Sequence, residues 1–226
     1  ARFMVAPRVL IRLGQSDPSA GPEFLKRLQK PSSLLTFEAP YRHTYTSVSM
    51  APVEDAMKQT LMYDMYETHV MREDEDYEAL MIFNQLLGGD SESMLFKTIR
   101  ETHNMAYSVG SMLLSQYGLL LINGAISPAN QTAYLNEIQT ILRTLKTGDY
   151  PDEALALAKK SQIETIKRNH DAKGALTRRA FYSVYADEPF TKDELIRRLS
   201  AIDKAAITRI AERLTPVTSF QYGATL

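Results

Sequence analysis

Histidine is the first residue type to consider for chemistry in this sequence, because it both binds metals and transfers protons. The chain has four histidines, His43, His69, His103 and His170. No two of them lie within one helical turn of each other, and no H-x-x-H, H-x-x-E-H or H-E-x-x-H spacing occurs. The sequence-local zinc signatures are therefore absent. The chain also has no cysteine, which excludes thiolate ligands, cysteine nucleophiles and disulfides.

Motifs for nucleotide binding and for serine nucleophiles are missing as well. The sequence contains no G-x-S-x-G elbow, no phosphate-binding loop and no G-x-G-x-x-G. The pair Gly88-Gly89, which precedes a predicted helix, leaves three interpretations open. It is compatible with an anion held at a helix N-terminus. It is also compatible with the close passage of another backbone and with the end of the preceding helix, and we favour the helix end over the anion site.

The next polar candidates are Arg100 and Tyr107, in the stretch LLGGDSESMLFKTIRETHNMAYSVG (residues 86–110). Its pattern predicts the end of one helix, a glycine break, a second helix and then a strand. Arg100 is expected in the last turn of the second helix, where the helix dipole favours a cation with or without a substrate. Tyr107 is expected in the strand, where a tyrosine is commonly a packing residue with a solvated hydroxyl. We interpret His103, one turn from Arg100, as a surface residue, and Asn104 as the left-handed residue that ends the helix.

The elements that must position these residues follow from hydrophobic periodicity along the chain. They come in the order of strands, two helices, a hairpin, four helical segments and a last strand. Local signals mark their boundaries: Gln116-Tyr117-Gly118 for the hairpin turn, Ser127-Pro128, Pro151, Thr191 and Asp203 for helix starts, and Gly148 and Pro216 for helix ends. This order predicts an α+β fold in which an antiparallel-rich sheet has helices packed on one face.

Two further patterns precede the central stretch. A set of apolar residues at even spacing is predicted to share one face of a strand: Met57, Leu61, Tyr63 and Met65. Lys58, Asp64 and other polar residues are predicted to lie largely on the opposite face. The acidic turn at residues 73–76 leads into the first helix. We interpret its carboxylates as charges favoured by the helix dipole rather than as a cation site.

Composition excludes several classes of function. The 226 residues are 44% hydrophobic and 23% charged, as in an ordinary globular protein. A formal net charge of -1 gives no electrostatic reason to expect nucleic acid as a partner. No apolar run reaches the roughly 18 residues that a membrane span requires, so we expect no membrane partner. The absence of cysteine and of a visible signal peptide leads us to expect a cytoplasmic protein.

The central stretch resembles the signature of the C-terminal half-domain of the pitrilysin/insulinase metallopeptidases, which include the mitochondrial processing peptidases. In that family a leucine-glycine-glycine turn precedes a helix that ends in an arginine, and a tyrosine follows seven residues later in the next strand. The matching residues here are Leu87-Gly88-Gly89, Arg100 and Tyr107. The resemblance covers the chain from about Met57 to the C-terminus.

Further matches are Asp76-Tyr77 at the start of the preceding helix, Ser127-Pro128 before the long helix, and a closing helix pair over residues 191–214. The resemblance implies that residues 42–226 form the C-terminal half-domain. It also implies that residues 1–41 are the tail of a preceding half-domain and a linker, which fits the aperiodic, proline-containing end of that segment. We therefore expect the chain to be part of a longer protein.

The resemblance further implies a division of labour. Active members bind zinc through an inverted H-x-x-E-H motif in the N-terminal half, where the glutamate activates water. The C-terminal half closes over the substrate and contributes the arginine and the tyrosine as donors. Attack on a peptide carbonyl makes an oxyanion, which fixed donors stabilise alongside the metal. Arg100 and Tyr107 are thereby implied as substrate or oxyanion donors, with no cofactor in this chain and zinc in a partner half.

We therefore predict the non-zinc half of a pitrilysin-like zinc metallopeptidase, which acts on peptides or unfolded segments with a zinc-bearing partner and is inactive alone. The alternative is a catalytically inert scaffold or interaction subunit that keeps the peptidase fold, as in the core proteins of respiratory complexes. A third possibility, a generic α+β ligand-binding module, is favoured only if the chain is a self-sufficient monomer that binds a small molecule at the sheet.

Overall fold

The computed structural model describes residues 44–48, 50–55, 57–169, 174 and 191–223. The chain divides into two compact units, one of residues 42–164 and 194–226 and the other of residues 1–41 and 165–193. Every strand described below lies in the first of these units. The predicted tail and linker over residues 1–41 lie outside the described residues, so that part of the predicted domain division stays a prediction.

Five strands form the sheet of the described region: β1 (Val53–Glu54), β2 (Thr60–Glu67), β3 (Ala106–Leu114), β4 (Leu119–Ile126) and β5 (Thr215–Gly223). Their order across the sheet is β1-β5-β2-β4-β3, which leaves β3 at one edge. β1 pairs in parallel with β5, and the other neighbouring strands are antiparallel. The predicted hairpin of β3 and β4 is confirmed.

The α-helices of the described residues are α1 (Tyr77–Asn84), α2 (Gln131–Thr147), α3 (Asp152–Asn169), α4 (Lys192–Ala201) and α5 (Lys204–Arg213). Two π-helical segments, Gln85–Gly89 and Phe96–Thr102, lie between α1 and β3, and a 3₁₀ turn, Pro128–Asn130, precedes α2. The π-helix has i→i+5 hydrogen bonds and is rare in proteins. The chain between α1 and β3 is therefore irregular in backbone. None of the helices in the described ranges is long and apolar enough to cross a bilayer.

The helices cover the face of the sheet that carries alternate residues of β2 from Thr60 to Tyr66, all of them buried. Leu61, Tyr63 and Met65 share the opposite face, as predicted, but they are only half-buried. Met57, predicted to belong to the same face, lies before β2 and is exposed. Asp64, which the pattern placed among exposed polar residues, lies on the covered side. Both faces of β2 carry apolar residues, so alternation alone could not identify the face that the helices would cover.

The core lies between this face and the helices. Its fully buried side chains include Met62, Leu80, Ile82, Phe83, Leu120, Ile122, Ile126 and Tyr134. Tyr134 of α2 packs directly against Gly124 of β4, where a Cβ atom would lie 2.6 Å from the tyrosine hydroxyl oxygen. The predicted α+β fold, an antiparallel-rich sheet with helices on one face, is confirmed.

Most of the predicted element boundaries are also confirmed. Asp203 Oδ1 accepts a hydrogen bond from the N–H of Ala206 at 2.8 Å and caps α5. Gly148 ends α2 with a left-handed φ of 69°. Pro216 differs from its prediction, because α5 has already ended at Arg213 and the proline lies inside β5 at a β-bulge. A bulge is one of the few strand positions that tolerates a residue without an N–H donor.

Candidate functional site

The glycine pair allows the first π-helical segment to pass close to strand β3. A Cβ atom on Gly88 would lie 2.5 Å from the backbone nitrogen of Ser111 and 2.8 Å from Cδ1 of Leu95. Ser111 Oγ also donates a hydrogen bond to the backbone oxygen of Asn84 at 3.2 Å. Gly88 has a φ of -156°, outside the left-handed region, so close approach accounts for the glycine here.

A carboxylate of the protein itself occupies the turn that follows the glycine pair. Asp90 Oδ1 accepts a hydrogen bond from the N–H of Glu92 at 2.8 Å. Asp90 Oδ2 accepts hydrogen bonds from Gln85 Nε2 and Ser161 Oγ, both at 2.6 Å. These contacts connect the turn to α3. They leave the anion-binding interpretation of the glycine pair without support. The helical segment ends at Gly89, so the helix-end interpretation is confirmed, and the approach of Gly88 to Ser111 shows that another backbone also passes close by.

Arg100 lies in the second π-helical segment and its side chain is exposed. Its guanidinium carbon, Cζ, lies 4.8 Å from the centroid of the Phe96 ring, a cation–π contact. Leu95 and Ile99, which flank Phe96, are fully buried and anchor this segment in the core. Phe96 was not singled out from the sequence, although an aromatic residue four positions before an arginine lies on the same helical face.

A short turn connects the segment of Arg100 to the strand of Tyr107. Asn104 has a φ of 50°, so the predicted left-handed residue is confirmed. The N–H of Met105 donates to the backbone oxygen of Ile99 at 2.9 Å. Asn130 Nδ2 donates to the backbone oxygen of Met105 at 3.1 Å. The turn is therefore held by one backbone hydrogen bond and by one hydrogen bond from the side chain of Asn130.

Tyr107 is the extra residue of a β-bulge at the start of β3. Ala106 pairs with Ile126 and Ser108 pairs with Ala125, so Tyr107 has no partner residue on β4. The side chain of Tyr107 is 65% exposed. A bulge interrupts regular pairing and changes the direction in which a side chain points.

Arg100 and Tyr107 thus lie on the two sides of one fixed turn, and both are exposed. Among the described residues, no hydrogen bond or ion pair joins the two side chains to each other or to a carboxylate. The guanidinium N–H groups and the phenolic O–H of this pair are donors that can be offered to a bound molecule.

Two of the four histidines can be placed. His69 contacts Glu67 Oε1 through Nδ1 at 3.4 Å and Thr215 Oγ1 through Nε2 at 3.0 Å. His103 Nε2 lies 4.0 Å from Glu137 Oε2, and its exposed position agrees with the prediction of a surface residue. His43 and His170 lie outside the described residues. Within the described part of the chain, no group of three or more His, Cys, Asp or Glu residues could hold a metal ion.

A buried polar cluster beneath α2 was missed from the sequence. Asp64 is 5% exposed, and neither its Oδ2 nor the hydroxyl of buried Tyr134 has a hydrogen-bond partner among the described residues. Burial raises the pKa of the Asp64 carboxyl, opposed by a hydrogen bond with Ser219. Burial and the nearby Asp64 charge raise the pKa of Tyr66 to about 12. Gln139 Nε2 of α2 donates to the Tyr66 hydroxyl at 3.1 Å.

The fold and the site define a class of protein. It is an α+β domain with an arginine in a helical segment and a tyrosine in the edge strand, on the two sides of one turn, and without a metal cluster in the part that the structure describes. A family model described as the peptidase M16 inactive domain matches residues 16–162. The chain belongs to this family, and the resemblance predicted from the sequence is confirmed.

Individual relatives agree with this assignment. The chain is 26% identical over 167 residues to the Bacillus subtilis (strain 168) protein named "Probable inactive metalloprotease YmfF", covering 74% of this chain and 39% of that protein. A conserved Enterococcus faecalis V583 protein of solved structure has a TM-score of 0.81 at 22% identity, covering 94% of this chain and 51% of that one. The peptidase M16 inactive domain from Pseudomonas fluorescens has a TM-score of 0.72 at 19% identity, covering 87% of this chain and 48% of that one. These two structural matches describe the fold, and the chain spans only about half of each.

Proposed function

We propose that this chain is the non-zinc half of a zinc peptidase, and that Arg100 and Tyr107 donate hydrogen bonds to a peptide substrate and to the oxyanion formed on it. Family membership supports the peptidase context. The observation that carries the proposal is the position of the two donors on the two sides of one fixed turn. Arg100 lies in a π-helical segment and Tyr107 lies in a β-bulge. Both π-helical turns and β-bulges recur at functional sites.

The chemistry needed from such a half is donation without metal binding. Zinc in the partner half activates the attacking water and polarises the peptide carbonyl. The carbonyl oxygen gains negative charge during attack, and a permanently charged guanidinium together with a phenolic hydroxyl can stabilise that charge. Donors that are held in place by the fold stabilise it most, since no reorganisation is then needed at the moment of reaction.

A second half of comparable size is part of the proposal. The chain covers 39% of its Bacillus subtilis relative and 51% of the Enterococcus faecalis structure, so both of those proteins have room for another domain of this kind. We propose that residues 42–226 form the half-domain and that residues 1–41 are the end of a preceding half and a linker. The partner is then a zinc-bearing half or subunit of the same fold family.

The test measures peptide hydrolysis by this chain assembled with its zinc-bearing half. Arg100→Ala and Tyr107→Phe are each expected to lower kcat by about 100-fold, the usual effect of removing one oxyanion donor. Assembly of the two halves, measured by size-exclusion chromatography, is expected to be unchanged. Wild-type turnover in both variants would remove the two residues from the site.

Matched controls use exposed residues of the same types elsewhere. Arg143→Ala removes an exposed arginine from α2, and Tyr117→Phe removes the hydroxyl of a 49% exposed tyrosine in the hairpin turn. Both are expected to leave kcat within about twofold of the wild type, as for surface substitutions distant from any site. A loss equal to that of the Arg100 and Tyr107 variants would show that the assay reports surface charge or general stability.

A second candidate is an inert scaffold subunit with the peptidase fold. It is favoured by the description of the family as an inactive domain and by the name of the Bacillus subtilis relative. Assaying the zinc-bearing half with and without this chain separates the two candidates. Full activity of the partner alone supports the scaffold, whereas dependence on this chain supports a contribution to the site.

A further inference from the structure

The only aromatic contact that the structure records for Arg100 within the described residues is its stacking on Phe96, with 4.8 Å between Cζ and the ring centroid. Phe96 opens the second π-helical segment and is half-buried between fully buried Leu95 and an exposed surface. An exposed arginine has many rotamers, and holding it in one of them costs conformational entropy. A ring that is itself held by the core restricts that freedom.

The chemistry of this contact differs from that of an ion pair. The neighbouring cation on the same segment, Lys97, is paired with Glu92 at 2.7 Å, so part of its charge and one of its three donors are used within the protein. A phenyl ring, unlike a carboxylate, offers no oxygen to accept hydrogen bonds, so the cation–π contact leaves the N–H groups of Arg100 available for a carbonyl or an oxyanion. An aromatic partner can therefore hold Arg100 without competing with a substrate.

We propose that Phe96 is a positioning residue for Arg100: its ring holds the guanidinium in the orientation from which it donates to the substrate. The inference rests on the proposed function for the role of Arg100. The stacking itself, however, can be measured without any activity. The two parts of the inference can therefore fail separately.

The first measurement is the nuclear magnetic resonance of the Arg100 side chain. A guanidinium above a phenyl ring has an Nε–H resonance shifted upfield by the ring current. The shift is expected in the wild type and in Phe96→Tyr, which keeps the ring, and is expected to be lost in Phe96→Leu, which keeps apolar volume only. An Arg100 resonance that is identical in the wild type and Phe96→Leu would overturn the stacking.

The second measurement is turnover of the chain assembled with its zinc-bearing half. Phe96→Leu is expected to lower kcat about fivefold, in line with an exposed cation–π contact, with KM changed less than kcat. Phe96→Tyr is expected to restore turnover relative to Phe96→Leu. In an Arg100→Ala background, Phe96→Leu is expected to cause no further loss, because the ring then has nothing to position.

The outcomes distinguish this inference from the proposed function. If Arg100→Ala lowers turnover but Phe96→Leu does not, the positioning role is wrong and the proposed function stands. If Phe96→Leu lowers turnover by the same factor in the wild type and in the Arg100→Ala variant, Phe96 affects the stability of the fold, and the positioning role is again wrong. If Arg100→Ala itself has no effect, the proposed function fails, and the positioning role fails with it even where the ring-current shift is present.

Discussion

The carboxyl of Asp64 is buried on β2 beneath α2, with one oxygen that has no hydrogen-bond partner among the described residues. Burial raises its folded-state pKa above the ordinary value of 3.8, and a side-chain hydrogen bond with Ser219 opposes this rise only in part. The unfolded chain has no such burial. Unfolding therefore releases a proton in the pH range between the ordinary and the raised pKa.

This difference predicts the sign of the pH dependence. Well below pH 3.8 the carboxyl is protonated in both states, and its ionisation does not change the free energy of unfolding. As the pH rises towards the raised folded-state pKa, the unfolded state ionises first, so the contribution of Asp64 to the free energy of unfolding falls. Asp64→Asn removes this titration. We expect the free energy of unfolding, measured with urea, to fall less between roughly pH 4 and pH 8 in the variant than in the wild type.

A matched surface variant separates this effect from total charge. Asp149→Asn removes a carboxyl from an exposed position after α2 and is expected to keep the pH dependence of the wild type. If Asp64→Asn and the wild type lose stability in parallel over the whole range, the buried carboxyl is not the group responsible. Sequence alone could not suggest this residue, because an aspartate within alternating apolar residues normally indicates the solvated face of a strand.

At the scale of elements, the close packing of the first π-helical segment on β3 gives a sharper prediction. Gly88→Ala places a Cβ atom 2.5 Å from the backbone nitrogen of Ser111, which cannot move without displacing the strand. We expect a loss of about 1–3 kcal/mol in the free energy of unfolding, as for overpacked sites. The measurement is equilibrium urea denaturation, with the m-value checked for constancy.

The adjacent glycine is the natural control. A Cβ atom on Gly89 would meet Gln85 Oε1 at 2.6 Å, but this is the far end of a flexible side chain. The displaced side chain would lose at most the hydrogen bonds from Gln85 Nε2 to Asp90 and to Ser161, each worth about 1 kcal/mol, and it can rotate away without moving the backbone. Gly89→Ala is therefore expected to cost less than Gly88→Ala. The reverse order would contradict the close approach of the two backbones at Gly88.

Some features of these elements could be predicted from the sequence, and others could not. The cap at Asp203, the left-handed residues Asn104 and Gly148 and the β3–β4 hairpin were predictable because each depends on a few neighbouring residues. The π-helical segments and the bulge at Tyr107 were not, because packing against β3 and pairing with β4 produce them. Periodicity describes a segment by itself and contains no information on such contacts.

For the candidate site, too, the residues could be predicted from the sequence but their geometry could not. Arg100 and Tyr107 could be named from the sequence because the family signature fixes both their types and their spacing. Their exposure, the fixed turn between them and the ring beneath the guanidinium required coordinates. Residue types alone therefore identify a candidate pair here, while the availability of its donors is a property of the fold.

At the scale of the molecule, the C-terminal helices support the helical segment that precedes the site. Glu78 of α1 is almost fully buried and accepts a hydrogen bond from Arg198 Nη2 of α4 at 3.0 Å. Asp76, before α1, pairs with Arg213 of α5 at 2.7 Å and makes no capping hydrogen bond. The acidic turn predicted to complement the helix dipole therefore also connects distant parts of the chain. These ion pairs between distant segments could not be predicted from the acidic turn alone.

The whole chain should also behave as a protein that obtains its metal chemistry from elsewhere. We expect purified chain to contain zinc far below one equivalent and to show no rise in melting temperature with added Zn²⁺. A ligand present at 100 times its Kd would stabilise the folded state by about 2.7 kcal/mol, enough to raise the melting temperature of a chain this size by roughly 5–10 °C. The experiment includes His43 and His170, which lie outside the described residues, and the zinc-bearing half measured in parallel is the positive control. If the chain keeps near-stoichiometric zinc after dialysis, the metal site is in this chain. That result would contradict the proposal that the partner holds the zinc while Arg100 and Tyr107 supply only donors.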